Sequence, residues 1–317
     1  MSSLSNAVER LIASQTVLWE TARRNYAALS GIASRNIDFG DFSMAVQFNP
    51  ERARSTTASP EIVSTRPCFL CAAHRPAEQE SIRWKGYEIL VNPYPIFSPH
   101  LTVPATAHTP QFLAGRFNDM VRLSEELSGF VLTFNGARCG ASAPDHFHFQ
   151  AVGQGILPVQ REVAAATGRD ALCDATDVSV WASDRFLRPK IVVEGRSADE
   201  TARTAESVLA CLTKAASDPV EAQVNALAWT APDKHTVVFF PRTAHRPQQY
   251  HASNETQFLF SPGAMDMAGV VVTVRERDYR RASASLLADL FAQVVPNHTQ
   301  WQQIKSEIRL CLARNRK

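Results

Sequence analysis

Long apolar runs are missing from this sequence. No uninterrupted hydrophobic stretch approaches the roughly 20 residues that a membrane-spanning helix needs, so we predict no membrane partner. The first apolar stretch also carries Glu9 and Arg10, which is incompatible with the apolar core of a signal peptide. These absences predict a cytoplasmic protein.

The sequence also has a small net charge and few cysteines. The 317 residues carry a formal net charge of +2, which gives no bulk attraction for a polyanion, so we expect no nucleic-acid partner. Six cysteines in a chain of this length do not suggest a disulfide scaffold, and we infer a reducing compartment. The chain is long enough for one large domain or two of moderate size, with ample apolar content for a core.

The spacing of apolar side chains alternates between helical and strand periods. Helices are predicted at residues 3–29 (one long or broken helix), 110–127, 198–216, 282–294 and 299–313. Strands are predicted at residues 44–48, 130–134, 146–152, 190–194, 224–229, 236–240 and 269–275, with two more between 87 and 103 joined by a proline-rich turn. This alternation with short links indicates a mixed α+β fold.

The most informative segment is residues 145–150, in which His146, His148 and Gln150 alternate with Phe147 and Phe149. Side chains alternate faces along a strand, so the three polar groups are predicted to share one face and the aromatics the other. Buried imidazoles need partners, and histidine suits proton transfer, nucleophilic attack and metal binding near neutral pH. The alternative is an ordinary solvated strand face.

A loop of small residues precedes this strand at 135–144. Its two glycines let backbone N–H groups approach an anion, and Asn135, Arg138 and Ser142 can add side-chain donors. Glycines in such a loop are also common for steric reasons alone. A nucleophilic imidazole beside an anion-binding loop suits nucleotidyl or phosphoryl transfer.

Cys68 and Cys71 form a Cys-x-x-Cys pair. Two thiolates at this spacing can reach one tetrahedral zinc ion, which needs two further ligands. A redox motif is the first alternative, although the flanking residues do not show a strand-to-helix redox context. Two buried cysteines with no shared role are the second.

The His-x-His-x-Gln motif after a Gly/Ser-rich loop resembles the nucleotidyltransferase and phosphorylase branch of the histidine-triad superfamily. That branch includes galactose-1-phosphate uridylyltransferase, diadenosine tetraphosphate phosphorylase and GDP-hexose phosphorylase. The resemblance implies a catalytic group of His146, His148 and Gln150, in which His148 is the covalent nucleophile and Gln150 holds a phosphate oxygen. It also implies a phosphate contact by Ser142, if one extra residue precedes His146.

The resemblance to uridylyltransferases further implies a structural zinc ion. The ligand positions match Cys68, Cys71, His108 and His146, with His74 and His100 as alternatives for His108. The basic turn at residues 49–54 is similar to a phosphate-binding turn of these enzymes, which implies substrate contacts by Arg52 and Arg54. Arginine suits phosphate because its planar fork binds two oxygens, and Lys190 is a further candidate for a phosphate contact.

An internal echo suggests two repeats. Residues 103–108 recur as residues 240–245, and each copy follows a Val-Asn pair. Two histidine-triad-like repeats with an antiparallel sheet and flanking helices are what the resemblance implies. We place the catalytic repeat and an N-terminal helix in residues 1–160, and a degenerate repeat with C-terminal helices in residues 161–317. The segment 269–274 is predicted to be the last strand of the second repeat, without a His-x-His.

These features predict a nucleotidyltransferase or phosphorylase that acts on a nucleotide sugar through a nucleotidyl-histidine intermediate. Phosphate or a sugar phosphate would accept the nucleotidyl group. A dinucleoside polyphosphate phosphorylase or hydrolase is one alternative, and a non-catalytic nucleotide-binding module is another.

Overall fold

The computed structural model describes residues 2–53, 65–216, 218 and 220–314. Its helices are α1 Ser3–Leu18, α2 Glu20–Ala28, α3 Phe117–Glu126, α4 Pro158–Ala165, α5 Ala198–Ala216, α6 Gln248–His251, α7 Ala264–Met267, α8 Glu276–Arg281, α9 Ala284–Ala292 and α10 His298–Arg314. Its strands are β1 Ala33–Asp38, β2 Ser43–Phe48, β3 Ser81–Trp84, β4 Tyr87–Val91, β5 His100–Pro104, β6 Phe130–Asn135, β7 His148–Gly153, β8 Asp170–Asp174, β9 Val178–Ser183, β10 Lys190–Gly195, β11 Val224–Ala231, β12 Lys234–Pro241 and β13 Val270–Thr273. The predicted α+β class is confirmed.

Ten strands form one antiparallel sheet in the order β3-β4-β5-β7-β6-β11-β12-β10-β9-β8. Counted from one edge, the first five strands run β3-β4-β5-β7-β6. Counted from the other edge, the remaining five run β8-β9-β10-β12-β11, which is the same order relative to the chain. The halves meet where β6 pairs with β11, with Asn135 opposite Asn225. Two repeats of one strand pattern therefore build the sheet, as predicted.

The equivalence of strands differs from the one suggested by the sequence echo. Residue 103 lies in β5, whereas residue 240 lies in β12, and β12 occupies the place in the second half that β7 occupies in the first. The echo therefore aligns strands that are not equivalent. In β12 the face that carries histidine and glutamine on β7 has Thr236, Val238 and Phe240, so the second repeat is degenerate at this strand.

The segment at residues 269–274 is not the last strand of the second repeat, contrary to our prediction. It forms β13, which pairs in parallel with β2 in a separate three-stranded sheet of order β1-β2-β13. Its continuous valine run suits a strand with buried faces on both sides. The local sequence specifies such a strand but does not specify its partner.

The two faces of the large sheet carry separate apolar cores. Phe149 and Ala151 of β7, and Phe147 just before it, belong to the core that also includes side chains of α1, α3, α5 and α10. Val152 belongs to the opposite core, which includes β2, β13 and α9. The alternation predicted for β7 is thus present. His148 and Gln150 lie on the same face of the sheet as Val152, the face of the second core.

Both cores and the sheet contain residues from either side of residue 160, and α4 spans that position. The division at residue 160 stays a prediction. None of the helices in the described ranges is long and apolar enough to cross a membrane. Cys211 and Cys311 form a disulfide between α5 and α10, so the expectation of reduced thiols does not hold for this pair.

Candidate active site

His148 is the first residue of β7 and is 3% exposed. Its Nδ1 lies 2.8 Å from the carbonyl oxygen of His146, so Nδ1 carries the proton and donates it to that oxygen. The lone pair is then on Nε2. Burial is the main cause that lowers the pKa of His148 to about 4, which keeps this ring neutral near neutral pH. A neutral imidazole with a fixed tautomer is the form required of a nucleophile.

Gln111 holds the backbone of His148. The Gln111 Oε1 accepts from the His148 N–H at 2.8 Å, and Nε2 donates to the carbonyl oxygens of His148 and Asn135 at 2.9 and 3.0 Å. The Gln111 side chain is buried. It therefore fixes the end of β7 where the sheet ladder stops. Sequence reasoning missed Gln111, because it placed this residue in the helix predicted at residues 110–127, whereas α3 begins at Phe117.

Gln150 follows on the same face of β7. Its Oε1 lies 2.7 Å from Nε2 of His100, which is fully buried on the neighbouring strand β5. The Nδ1 of His100 accepts from the Ile96 N–H at 3.1 Å. His100 is an alternative metal ligand by the resemblance, but in the structure both its ring nitrogens have hydrogen-bond partners.

A cavity of about 440 Å³ opens onto His148 and Gln150. Apolar and aromatic side chains line one part of it, including Trp19, Phe69 and Tyr94. Such a wall suits a nucleobase, because every base presents an apolar face. The lining residues are Trp19, Thr21, Glu51, Arg52, Arg66, Phe69, Leu70, His74, Pro76, Gln79, Leu90, Asn92, Pro93, Tyr94, Thr102, Ser142, His148 and Gln150.

Two arginines supply positive charge to this cavity. Arg52, predicted from the basic turn, donates to the carbonyl oxygen of Tyr94 at 2.8 Å and also borders a smaller cavity of about 60 Å³, which Gln150 lines as well. Arg66, which was not predicted, donates to the carbonyl oxygen of Ser142 and stacks on Phe69 at 4.8 Å. Two guanidinium groups beside a neutral histidine suit a substrate with several phosphates.

Only some of the other predicted substrate contacts lie at a cavity. Ser142 lines the main cavity, and Asn135 lines the smaller one, although its Oδ1 accepts from Asn225 and from the Ala264 N–H at 2.9 and 2.7 Å. Arg54 lies outside the described residues. Two predicted cations point elsewhere. Arg138 is exposed and forms a salt bridge with Asp218. Lys190, the first residue of β10, is buried and forms a salt bridge with Glu162 of α4.

The glycine loop is shaped by packing as well as by the site. A Cβ at Gly136 would lie 2.8 Å from the Val224 carbonyl oxygen, and one at Gly140 would lie 2.8 Å from the Cα of Gly263. Gly140 also has a φ of +91°, which disfavours other residues. These two glycines therefore let the loop pack closely against β11 and against the segment that precedes α7.

Cys68, Cys71, His108 and His146 form a cluster whose ligand atoms all lie within 4.8 Å of one another. The Nδ1 of His146 lies 3.3 Å from the Cys68 Sγ, and the Nδ1 of His108 lies 3.2 Å from the Cys71 Sγ. These separations match the edges of a tetrahedral zinc site with bond lengths of about 2.0–2.3 Å. The four predicted ligands are thus brought together.

The outer nitrogens of both histidines have the partners that metal ligands usually have. His146 Nε2 donates to the carbonyl oxygen of Ala105 at 2.8 Å, and His108 Nε2 lies 3.3 Å from a carboxylate oxygen of Asp145. Each Nδ1 is therefore left with its lone pair toward the thiols. The predicted strand began at His146, but β7 begins at His148, and His146 turns toward the cysteines instead of the cavity.

Comparisons with known proteins agree with this architecture. Residues 11–153 match the family model of a domain of unknown function, DUF4922. No curated protein sequence matches the chain significantly. The fold is similar to that of yeast Ap4A phosphorylase Apa2, with a TM-score of 0.60 and 12% identity over 93% of this chain and 95% of that chain.

A structure of the same yeast enzyme in complex with Ap4A gives a TM-score of 0.57 and 14% identity, over 88% of this chain and 97% of that chain. A uridylyltransferase mutant is more distant, with a TM-score of 0.45 and 14% identity, over 78% of this chain and 94% of that chain. The chain thus shares its overall fold with yeast Ap4A phosphorylase.

Proposed function

We propose that this protein is a nucleotidyltransferase of the phosphorylase type that works through a nucleotidyl-histidine intermediate on His148. The observation that carries the proposal is the His148 ring itself. It is neutral, its proton is held on Nδ1 by the His146 carbonyl, and it borders a cavity with two arginines. A site that only binds nucleotides has no need for a prepared nucleophile.

In the first step the Nε2 of His148 attacks the α-phosphorus of the substrate. A nitrogen–phosphorus bond forms, and the bond from that phosphorus to the bridging oxygen breaks. The leaving phosphate takes the electron pair, so no external acid is required. The imidazole keeps its Nδ1 proton, and the His146 carbonyl stabilises the positive charge that develops on the ring.

In the second step an oxygen of inorganic phosphate attacks the same phosphorus and releases His148. With a nucleoside diphosphate hexose as substrate, the products are a hexose phosphate and a nucleoside diphosphate. Gln150 and Ser142 border the cavity and Arg52 and Arg66 supply charge, so these side chains are proposed to bind the phosphoryl oxygens. Two steps at one nucleophile predict ping-pong kinetics.

The cysteine and histidine cluster fits a structural zinc ion, held by Cys68, Cys71, His108 and His146. Four protein ligands leave no open position, so bound zinc would supply a structural link and no contact to substrate. The same His146 offers its carbonyl to His148, so fixing His146 also fixes the nucleophile. His146 thus contributes to catalysis through its backbone.

We propose a nucleotide sugar as the substrate, on the strength of the resemblance of the motifs to GDP-hexose phosphorylases and uridylyltransferases. A dinucleoside polyphosphate is the second candidate. The observation that favours it is the fold shared with a yeast phosphorylase crystallised with Ap4A. The two substrates differ in the group that leaves, not in the atom that His148 attacks.

The test is a screen of nucleoside diphosphate hexoses and dinucleoside polyphosphates, each with and without inorganic phosphate. Phosphate-dependent release of a hexose phosphate from one nucleotide sugar supports the first substrate. Phosphate-dependent cleavage of a dinucleoside polyphosphate alone would replace it with the second. Binding without turnover in every arm would contradict the proposed activity.

A further inference from the structure

We propose that His100 is a positioning residue that holds the Gln150 amide with its NH₂ group turned toward the cavity, where a phosphoryl oxygen of the substrate binds. This inference deepens the proposed function and rests on it. His100 is fully buried and does not border the cavity. It therefore acts through Gln150 and does not touch the substrate.

The backbone of Ile96 fixes the direction of the hydrogen bonds in this chain of groups. The Ile96 N–H is always a donor, and it lies 3.1 Å from Nδ1 of His100. Nδ1 must therefore accept, and it carries no proton. In a neutral imidazole the proton is then on Nε2. That nitrogen lies 2.7 Å from Oε1 of Gln150, so His100 donates and the Gln150 oxygen accepts.

This bond determines which end of the Gln150 amide meets the substrate. An amide has an oxygen on one branch and an NH₂ group on the other. Because His100 occupies the oxygen, the NH₂ group of Gln150 is the end that faces the cavity. An NH₂ group donates to a phosphoryl oxygen, whereas an amide oxygen in its place would repel one. His100 thus prevents the orientation in which the Gln150 oxygen faces the cavity.

The surroundings of His100 hold both its position and its charge state. Its backbone carbonyl accepts from the Tyr26 hydroxyl and from the Asn92 N–H, each at 2.9 Å, so the main chain is fixed independently of the ring. A proton on Nδ1 would face the Ile96 N–H directly. Burial, with a smaller contribution from the nearby Arg52, also lowers the pKa of His100, which keeps the ring neutral.

The first test is His100→Asn. The asparagine oxygen replaces Nδ1 and accepts from Ile96, but the side chain ends before it reaches Gln150. We expect kcat to fall roughly 10- to 100-fold, as for other residues that orient a primary contact, with little change in nucleotide affinity. His235→Asn is the matched control, because His235 is a buried histidine on β12 in the other half of the sheet. Wild-type kcat in His100→Asn would overturn the proposal.

A double-mutant cycle separates positioning from a general structural effect. Gln150→Ala removes the amide, so His100→Asn should lower kcat no further in that background. His100→Gln, whose longer amide can both accept from Ile96 and donate to Gln150, should recover part of the loss. Multiplicative losses in the double variant would show that His100 acts independently of Gln150 and would overturn the inference.

The tautomer of His100 is measurable without turnover, by ¹⁵N NMR of the histidine-labelled wild-type protein. A proton on Nε2 and none on Nδ1 supports the inference, and a proton on Nδ1 overturns it. This readout keeps the two proposals distinguishable. An enzyme that forms no nucleotidyl adduct would contradict the proposed function, whereas an active enzyme with the wrong His100 tautomer would contradict only the positioning role.

Discussion

The side chain of Gln111 brackets the peptide backbone of His148, accepting from its N–H at 2.8 Å and donating to its carbonyl oxygen at 2.9 Å. Among the described residues, no other side chain forms hydrogen bonds to both of these backbone groups. The position of the nucleophile at the strand end thus depends on one buried amide.

Gln111→Ala tests this dependence. The variant leaves buried backbone groups of His148 unpaired, so we expect the free energy of unfolding to fall by about 2–4 kcal/mol. We also expect kcat to fall about 10-fold or more, because the nucleophile loses its alignment. Urea unfolding and steady-state kinetics measure the two effects.

The matched control is Gln154→Ala. Gln154 Nε2 donates to the carbonyl oxygens of Ser128, Phe130 and Thr230 at 2.6, 3.3 and 3.2 Å, beyond the other end of β7. Its loss should destabilise the protein without a matching loss of kcat. Equal falls in kcat for the two variants would show that Gln111 acts only through stability.

The sequence predicted the parts of this site that depend on local patterns. Period-two spacing placed His148 and Gln150 on one face of β7, because apolar partners occupied the other face. The Cys68 and Cys71 pair, together with a family resemblance, predicted a cluster that the structure assembles.

Contacts between distant segments were not predictable in this way. His100 meets Gln150 across the β5–β7 pairing, and Gln111 reaches His148 from an irregular segment. The valine run of β13 has the composition of a strand in any buried sheet, so its pairing with β2 was not encoded locally. The echo between residues 103–108 and 240–245 failed for a related reason, since similar strand ends recur at topologically different places.

Replacement of Gln150 by histidine tests the role of the amide. An amide donates hydrogen bonds but cannot act as a general base for water. The wild-type enzyme should therefore transfer the nucleotidyl group to phosphate faster than to water, and Gln150→His should shift the products toward hydrolysis. Product analysis with and without phosphate measures the partition. Equally fast hydrolysis by the wild-type enzyme without phosphate would contradict this role.

Metal content tests the cysteine and histidine cluster. We expect one zinc ion per chain in protein purified without chelators, and Cys68→Ser should lower both zinc content and Tm, since metal binding and folding are coupled. Cys173→Ser is the control, because Cys173 lies on β8 at the opposite edge of the sheet. If the wild-type protein is stable and active with far less than one zinc ion per chain, the proposal that this cluster binds zinc is wrong.

Acid stability reports the neutral state of His100. Burial, then the nearby Arg52, lower its pKa from the ordinary 6.5 to about 3. Below pH 6.5 the unfolded chain therefore binds a proton that the folded protein excludes, so stability falls as the pH decreases toward 3. The slope is up to about 1.4 kcal/mol per pH unit for one such group.

His100→Asn should make the free energy of unfolding depend less steeply on pH between 3 and 6.5, because one fewer proton is taken up on unfolding. Urea unfolding at several pH values measures this slope. The other buried histidines remain as an internal reference. Gln150 and the Ile96 N–H also contact the His100 ring, and neither of them titrates. An unchanged slope in the variant would mean that His100 is protonated in the folded protein.

Covalent capture of the intermediate tests the central claim most directly. His148→Ala should reduce turnover by at least about a thousandfold while nucleotide binding persists, because a covalent nucleophile is lost. The wild-type protein should be incubated with the substrate that turns over, without phosphate, and then digested at alkaline pH for mass spectrometry. The account predicts an acid-labile nucleotidyl group on His148, absent from His148→Ala and present in a His235→Ala control. Turnover without any adduct, or an adduct on another residue, would contradict it.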